Sequence, residues 1–512
     1  MAGSKSSRSS RTSKKQSASA LPYLLPVLLA ASSLAVLWFW KQGYLLYHGD
    51  ASAHLNIARR IIDSRTPGYE QIGTVWLPLP HLLMLPFVRV DWLWQTGLAG
   101  AIPSGICFVF AGLLLYGAAR RVWDSAAAGV TAALLFALNP NMLYMQSLAM
   151  TEAVFFLCAI VTLYATVRAA ETEALWPALL AGLGLLGATM TRYEGWFLIP
   201  FVVAYFFFKR GWKGAMLVGI IASAGPVYWF AHNAILYGDW LDFYRGSGSA
   251  KAIQGDRPYP GRGNWDEAYW YFASAARLAS GMMLLGVGGV GLVIALLKRR
   301  WWPVFFLALA PAFYILSLHG SSTPIFVPHL WPHSYYNIRY GMAILPLAAF
   351  CGAAIVGTMP PVTRKWTAAV VVIVAVLPWV LYPKADGWIT WKESEVNSVA
   401  RRQWTAGAAE YLRSNYEPGK GIVASFGDLT GIVRDAGIPL KEMVHEGNGL
   451  YFQSLLQRPD LFLWQEWIVT RKGDDVSKAM YLHAPKLLRY SRVRIVEVRN
   501  AAPVEIYRRV RQ

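Results

Sequence analysis

Long uninterrupted apolar runs dominate this chain. A helix needs roughly 17–25 mainly apolar residues to cross the hydrocarbon core of a bilayer. Runs of that length, or close to it, occur at residues 21–40, 94–119, 126–140, 152–168, 175–190, 194–208, 214–237, 279–297, 302–318, 339–358 and 367–383. The pattern predicts about eleven transmembrane helices, and hence a polytopic α-helical membrane protein.

Basic residues occur in every second connection between these runs. If the N-terminus lies in the cytoplasm, the inside loops contain Arg120, Arg121, Arg168, Lys209, Arg210, Lys213, Lys298, Arg299, Arg300, Arg364 and Lys365. Cytoplasmic loops carry such an excess of Lys and Arg in membrane proteins. The alternation therefore predicts the orientation, and it places the long segments 42–93, 238–278, 320–338 and 384–512 outside.

The two ends of the chain differ from the apolar middle. Residues 1–20 are rich in Ser, Lys and Arg and predict a disordered cytoplasmic tail. The run at 21–40 is too long for a signal peptide and predicts an uncleaved first helix. Residues 21–383 then form the membrane domain, and residues 384–512 predict a small soluble α/β domain. Its expected elements are a helix at about 395–414 and strands at Ile422–Phe426, Leu461–Val469, Val493–Val498 and Val504–Tyr507.

Composition agrees with the membrane class. The chain is 55% hydrophobic and 15% charged, whereas soluble domains have about 25% charged residues. The net charge of +19 follows from the basic inside loops and does not indicate a nucleic-acid partner. Cys107, Cys158 and Cys351 lie far apart inside apolar runs, so we expect no disulfide.

The first outside loop contains a candidate catalytic carboxylate. Between Tyr47 and Asp63 the apolar residues have helical spacing, which predicts a short helix at the membrane interface. Asp50 starts this helix, where a carboxylate also serves as an N-cap. His54 lies one turn later on the same face. It could orient the carboxylate, bind a metal or face water.

Trp76 lies further along the same loop, between Gly73 and the Pro-rich segment Pro78–Pro80. Tryptophan is enriched at membrane interfaces, and it also stacks on sugar rings. The interfacial interpretation is favoured, and the sugar platform stays as an alternative.

Further charges stand at the outer ends of other spans. Glu152 opens a predicted helix, where the macrodipole favours an acid, or it is a second carboxylate of the site. Arg192 and Glu194 flank Tyr193, a candidate substrate contact, between two apolar runs. Charges at this depth are usually paired or functional. Arg192 therefore forms an ion pair, with Glu194 or across helices, or holds a phosphate, which suits its planar guanidinium. The two roles do not exclude each other.

Residues 329–340 lead into a later span from the outside. Arg339 is a second candidate phosphate ligand, with Tyr336 beside it as a candidate substrate contact. His329 and His333 have a spacing of four, but Pro332 between them argues against a helical metal site. The polar segment 239–267 fits either a mobile substrate flap or a structural loop.

Four motifs together resemble the GT-C class of polyprenyl-phosphate-sugar-dependent glycosyltransferases. This class includes the protein O-mannosyltransferases and the lipid A aminoarabinose transferase. The resemblance rests on Gly49-Asp50 after the first span, Thr-Glu at 151–152, Thr-Arg-Tyr-Glu-Gly-Trp at 191–196 and Asn-Ile-Arg-Tyr-Gly at 337–341. One feature departs from the O-mannosyltransferases, which carry two adjacent acids in this loop, because Asp50 is followed by Ala51.

The resemblance implies a GT-C membrane fold and an inverting transferase. Asp50 would deprotonate an acceptor hydroxyl, helped by a distant acid, Glu152 or Glu194. Arg192 or Arg339 would stabilise the departing lipid phosphate. The scheme requires no cofactor, although Asp50, His54 and Glu152 could in principle ligate a divalent metal. The partners would be a polyprenyl-phosphate-linked sugar and a lipid, glycan or protein acceptor.

Two other classes compete with this hypothesis. A transporter or flippase of lipid-linked substrates would show internal repeats and charges at mid-membrane, whereas the candidate charges here lie at helix ends on one side. A non-catalytic scaffold would leave these charges without a shared purpose. We expect a multi-pass protein of a bacterial inner membrane, with its C-terminal domain in the periplasm.

Overall fold

The computed structural model describes residues 20–321, 323–381, 387–483 and 489–510. The tail predicted at 1–20 lies, except for its last residue, outside the described residues. The predicted domain boundary at 383–384 also lies outside them.

Helices make up the membrane domain. They are α1 (Leu21–Lys41), α2 (Gly49–Arg60), α3 (Leu79–Val88), α4 (Asp91–Thr96), α5 (Leu98–Val122), α6 (Ala126–Ala137), α7 (Pro140–Gln146), α8 (Glu152–Ala169), α9 (Trp176–Thr189), α10 (Glu194–Tyr237), α11 (Asp242–Arg245), α12 (Ala250–Gln254), α13 (Trp265–Ser280), α14 (Met282–Leu297), α15 (Trp301–Gly320), α16 (Leu345–Thr358) and α17 (Arg364–Leu381). Short 3-10 turns lie at Tyr44–Leu46, Tyr69–Ile72 and Ile338–Ile344.

Within the described ranges, seven helices are long and apolar enough to cross a membrane, or up to nine if two bent pairs count as one span each. Over the described residues, each of the eleven predicted runs coincides with helical segments, some of which are broken. The runs at 194–208 and 214–237 are the two arms of α10, which are separated by the non-helical backbone of Gly211, with φ 66°. The run at 175–190 gives the 14-residue α9, which is shorter than a typical span.

Residues on the outer helices show that a bilayer surrounds this domain. Only 17% of the apolar window of α1 and 11% of that of α17 are buried inside the protein. Their exposed side chains include Leu34 and Val380, each 66% exposed. A soluble protein rarely leaves such continuous apolar faces in water, whereas lipid solvates them.

The C-terminal domain begins with the long α18 (Ile389–Asn415) and contains one five-stranded sheet. The other elements are β1 (Ile422–Val423), α19 (Thr430–Asp435), β2 (Met443–Val444), α20 (Leu450–Gln457), α21 (Pro459–Phe462), β3 (Trp467–Arg471), α22 (Asp475–Leu482), β4 (Tyr490–Val496) and β5 (Val504–Arg509). The strand order is β2-β1-β3-β5-β4, with β1 parallel to β2 and β3, and β5 antiparallel to β3 and β4. The predicted α/β composition is confirmed. The segment predicted as a strand at 461–469 instead starts within α21 and becomes β3 only at Trp467.

The C-terminal domain docks on the first outside loop. The carboxylate of Asp63 accepts hydrogen bonds from the backbone N–H groups of Leu440 and Lys441, both at 3.1 Å. Arg434 donates to Ser52 Oγ at 3.1 Å. These bonds join the domain to α2, the helix that carries Asp50.

Candidate active site

The segments 42–93, 238–278 and 320–338, all predicted to lie outside, contribute to one cavity of about 380 Å³. Its wall also includes the connections before α8 and α10, the end of α15 and the turn with Arg339. The charged residues that line it are Asp50, Arg192, Glu194, Lys251 and Arg339. Apolar and aromatic side chains complete the wall, among them Val75, Leu77, Met150, Trp196, Phe243 and Phe313. The long connections therefore share one side of the membrane domain.

Asp50 lies in the first turn of α2, where free backbone N–H groups favour a negative charge. His48 is the N-cap, and its Nδ1 accepts from the backbone N–H of Asp50 at 3.2 Å. The N-cap alternative for Asp50 is therefore wrong, and its side chain stays 38% exposed toward the cavity. Burial alone would raise the pKa of Asp50, but Arg339 and the neighbouring histidines lower it to about 2.

Arg339 connects two of the predicted acids. Its Nη2 donates to Asp50 Oδ2 at 2.6 Å, and its Nε donates to Glu152 Oε1 at 3.1 Å. Its Nη1 lies 2.9 Å from His48 Nε2 and 3.9 Å from Glu393 Oε1. The guanidinium is therefore held on every side by the protein itself.

Arg192 is enclosed in the same way. Its Nε donates to Glu194 Oε1 at 2.7 Å, and its Nη1 donates to Thr151 Oγ1 at 2.6 Å and Glu152 Oε1 at 3.0 Å. Its Nη2 donates to the hydroxyl of Tyr314 at 2.6 Å, and that hydroxyl donates to Glu194. The predicted ion pair of Arg192 with Glu194 is therefore present, and both side chains line the cavity.

Five side chains form a row of alternating charge: Asp50, Arg339, Glu152, Arg192 and Glu194. Glu152 is at the centre and 4% exposed, and it accepts from both arginines. Its second oxygen, Oε2, is buried and has no hydrogen-bond partner among the described residues. Such a row avoids the cost of isolated buried charges, and it fixes Asp50 relative to Glu152, one of the two distant acids predicted to assist it.

Two glycines of the recognised motifs allow this close packing. A Cβ on Gly195 would lie 2.4 Å from the carbonyl carbon of Ala188, and one on Gly341 would lie 2.3 Å from that of Ala275. Real Cβ atoms do not approach backbone so closely. The glycines therefore let the start of α10 and the turn carrying Arg339 lie against neighbouring helices.

His54 of α2 and His81 of α3 form a buried histidine pair beside the cavity. His54 is 3% exposed, and its Nδ1 lies 2.9 Å from Nε2 of His81, which is fully buried. Burial is the main cause that lowers the pKa of His54 to about 4, so this imidazole is neutral at physiological pH. The ring of Trp76 lies 4.4 Å from that of His54, and Trp76 also lines the cavity. Trp76 thus belongs to the site wall, which supports the sugar-platform alternative.

The two predicted tyrosines lie in different places. Tyr193 lines the cavity, donates to the carbonyl of Val75 at 2.8 Å and stacks on Phe243. Tyr336 does not line this cavity. It lines a second cavity, next to α18.

Sequence reasoning missed several members of the site. These are His48, His81, Lys251, Tyr314, Tyr340 and Glu393. The ring of Tyr340 lies 5.0 Å from the guanidinium of Arg339 and 5.4 Å from that of Arg192, and its position directly after Arg339 was the available signal. Glu393 gave no such signal in the sequence, because it lies 54 residues beyond Arg339, in the C-terminal domain.

A metal site has no support from the geometry. Among the residues that the structure describes, no group of three or more His, Cys, Asp or Glu side chains is arranged to hold an ion. Of the three side chains considered for this role, Glu152 is instead engaged with Arg192 and Arg339.

Comparison with known proteins supports the resemblance. Residues 93–230 match the family model described as dolichyl-phosphate-mannose-protein mannosyltransferase. Curated proteins provide no match. ArnT from Cupriavidus metallidurans bound to undecaprenyl phosphate has a similar structure, with a TM-score of 0.60 and 14% identity over 95% of this chain and 97% of ArnT. ArnT in the apo state gives a TM-score of 0.59 and 13% identity over 95% of this chain and 98% of ArnT. The chain therefore has the GT-C fold of ArnT, and part of its membrane domain matches the GT-C mannosyltransferase family.

Proposed function

We propose that this protein is an inverting glycosyltransferase that moves a sugar from a polyprenyl-phosphate donor to an acceptor hydroxyl at the extracytoplasmic membrane face. The observation that carries the proposal is the position of Asp50. Its partly exposed carboxylate faces a cavity that has an apolar aromatic wall on the membrane domain and a cation at its rim. The apolar wall suits an isoprenoid chain, the cation suits a phosphate, and the carboxylate suits the hydroxyl that attacks the sugar.

Lys251 is the cation that we assign to the donor phosphate. Of the charged side chains lining the cavity in the described ranges, Lys251 is the cation without a carboxylate partner. It lies on α12, exposed, with its ammonium 5.0 Å from the ring of Tyr244. A free ammonium can neutralise a departing phosphate without breaking an existing ion pair.

This assignment changes the role proposed for Arg192 and Arg339. Each guanidinium is already bonded to two carboxylates. Three carboxylates face two guanidiniums in the charge row, so the row carries a net negative charge. We therefore assign the arginines to holding the acids, and we leave phosphate binding to the flap that contains Lys251.

Asp50 then acts as the base. Its lowered pKa keeps it ionised at physiological pH. The acceptor oxygen bonds to the anomeric carbon while the bond between that carbon and the phosphate oxygen breaks. The proton of the acceptor hydroxyl passes to the carboxylate of Asp50. A weak base is sufficient when the leaving group is a phosphate and the sugar has oxocarbenium character in the transition state. A single displacement inverts the configuration.

Reconstitution of the full chain in lipid vesicles tests the proposal. The probes are undecaprenyl-phosphate-linked pentoses and hexoses with labelled sugar, added with membrane extract that supplies acceptors. We expect labelled product together with released undecaprenyl phosphate, and an inverted linkage by NMR. Movement of intact donor across the vesicle membrane without transfer would instead favour the transporter hypothesis.

A further inference from the structure

A second cavity lies between the membrane domain and the C-terminal domain. Its volume is about 200 Å³. One wall consists of the start of α2 and the segment containing Tyr336, and the other consists of α18 with Asp428. Clefts for drug-sized ligands have roughly 300–1,000 Å³, so this cavity fits one unit of a larger molecule.

Among the residues that the structure describes, the two cavities share Asp50 and Arg339 alone. This ion pair, with 2.6 Å between Nη2 and Oδ2, therefore stands where they meet. The Asp50 side chain is 38% exposed, whereas that of Arg339 is 7% exposed. A carboxylate that both cavities reach can contact a donor in one and an acceptor in the other.

The lining of the second cavity suits hydroxyl groups. Trp404 adds an indole ring to this wall. Arg401 uses Nη2 on the carbonyls of Leu46 and Tyr47. The hydroxyl-bearing rings of Tyr47 and Tyr336 complete an aromatic and polar wall. Aromatic rings beside polar groups match a sugar, which offers hydroxyl groups and apolar ring faces.

The carboxylates that line this cavity each have a cation beside them. Asp50 and Glu393 lie 2.6 and 3.9 Å from Arg339, and Asp428 lies 3.2 Å from Arg471. A neutral occupant leaves these ion pairs in place.

We infer that the second cavity binds a neutral sugar unit of a glycan acceptor, whose hydroxyl reaches Asp50 from the side of the C-terminal domain. The inference rests on the proposed function and names the acceptor class of that same site. It also gives the C-terminal domain a role, because α18 supplies Ala400, Arg401 and Trp404 to the pocket. Glu393 of α18 accepts from the backbone N–H groups of Asn337 and Ile338 at 2.8 and 2.9 Å, and it thereby positions the turn that presents Arg339.

Cysteine protection tests binding in the cavity without requiring turnover. Ala400→Cys places a thiol in the lining, and Val399→Cys places one on the neighbouring, exposed position of α18 outside it. Both full-length variants are labelled with a maleimide, with the unsubstituted chain as background for its three cysteines. We expect neutral oligosaccharides to slow labelling at position 400 several-fold and at position 399 not at all. Equal protection by a Ser/Thr peptide or by inorganic phosphate, or no protection by any oligosaccharide, overturns the inference.

A cavity-filling variant connects binding to transfer. Ala400→Trp should lower sugar transfer to the glycan acceptors of the membrane extract by about tenfold or more, because the indole occupies the acceptor volume. Undecaprenyl phosphate binding should be unchanged, and Val399→Trp should keep wild-type transfer. If the wild type transfers and Ala400→Trp transfers equally well, the acceptor pocket is wrong and the proposed function stands. If the wild type transfers nothing from any donor, the proposed function fails, and the protection assay alone decides whether the cavity binds a glycan.

Discussion

Arg339 donates a hydrogen bond of 2.6 Å to Asp50 from a position 289 residues away in the chain. The bond sets both the charge state and the orientation of the candidate base. It also makes Asp50 the end of a row of charges that continues through Glu152 to Glu194.

Replacing Asp50 with Asn should remove transfer and leave the fold intact, because the amide keeps the shape but cannot accept a proton. We expect a rate loss of about 10²–10⁴-fold, the usual contribution of a general base. Transfer by purified protein measures the loss, with expression and undecaprenyl phosphate binding as checks on folding. Glu70→Gln is the matched control, since Glu70 is an exposed acid in the same loop. Wild-type turnover in Asp50→Asn would remove the assignment.

Replacing Glu152 with Gln should destabilise the protein as well as slow it. Glu152 Oε1 accepts from Arg192 at 3.0 Å and from Arg339 at 3.1 Å, so the substitution leaves two buried guanidiniums without their shared counter-charge. Breaking a buried ion pair costs about 3–5 kcal/mol. Thermal unfolding in detergent should therefore occur at lower temperature. Glu173→Gln, which alters a 96% exposed partner of Arg210, should have little effect, and equal unfolding temperatures in the two variants would contradict the central role of Glu152.

Lys251→Ala should weaken binding of undecaprenyl phosphate. A hydrogen bond to a charged group contributes about 1.5–3 kcal/mol, so we expect affinity to fall about tenfold or more. Lys251→Arg should restore most of the binding, because it keeps the charge. Arg262→Ala changes an exposed cation of the same loop that does not line the cavity. A loss in Arg262→Ala as large as that in Lys251→Ala would show a general charge effect and no specific contact.

Gly341→Ala should disturb the site through packing alone. Its new Cβ would lie 2.3 Å from the backbone of Ala275, so the turn that carries Arg339 has to shift. Overpacking of this kind costs about 1–3 kcal/mol, and transfer should fall with stability. Gly289→Ala is the control, since nothing lies within 4 Å of a Cβ at that position. Unchanged transfer in Gly341→Ala would show that the position of Arg339 tolerates movement.

The acid limb of the pH–rate profile should depend on Arg339. In the wild type the pKa of Asp50 is about 2, so transfer should show no loss from Asp50 protonation between about pH 4 and 8. In Arg339→Gln, burial remains while the main lowering charge is gone, so the pKa should rise above the ordinary 3.8. The acid limb of kcat/KM should then move to higher pH. An identical acid limb in both proteins would separate Asp50 from the rate-determining proton transfer.

The free energy of unfolding should depend on the same ion pair and decrease at acid pH. Because folding lowers the pKa of Asp50, its pair with Arg339 stabilises the folded state fully above the ordinary pKa of 3.8. That contribution is lost as the pH falls toward 2.

The sequence by itself determined the membrane class, the helical runs and the four motifs, because these depend on local composition and spacing. Apolar runs of spanning length have few alternatives in a bilayer, and over the described residues each predicted run coincides with helical segments. The α/β composition of the C-terminal domain was also predictable, but the start of β3 was not, since a short apolar run fits a helix or a strand equally well.

Only the tertiary structure decided how the candidate residues act. Arg192 and Arg339 were predicted to hold phosphate, and nothing in their local sequence shows that each contacts two carboxylates from distant helices. Ala51 stands where the O-mannosyltransferases carry a second acid; it is fully buried here, and Arg339 joins Asp50 to Glu152 instead. Ion pairs and cavity walls depend on which helix ends meet in space, and a single sequence does not encode that in any local pattern. The sequence therefore supplied the charges, and helix packing supplied their partners.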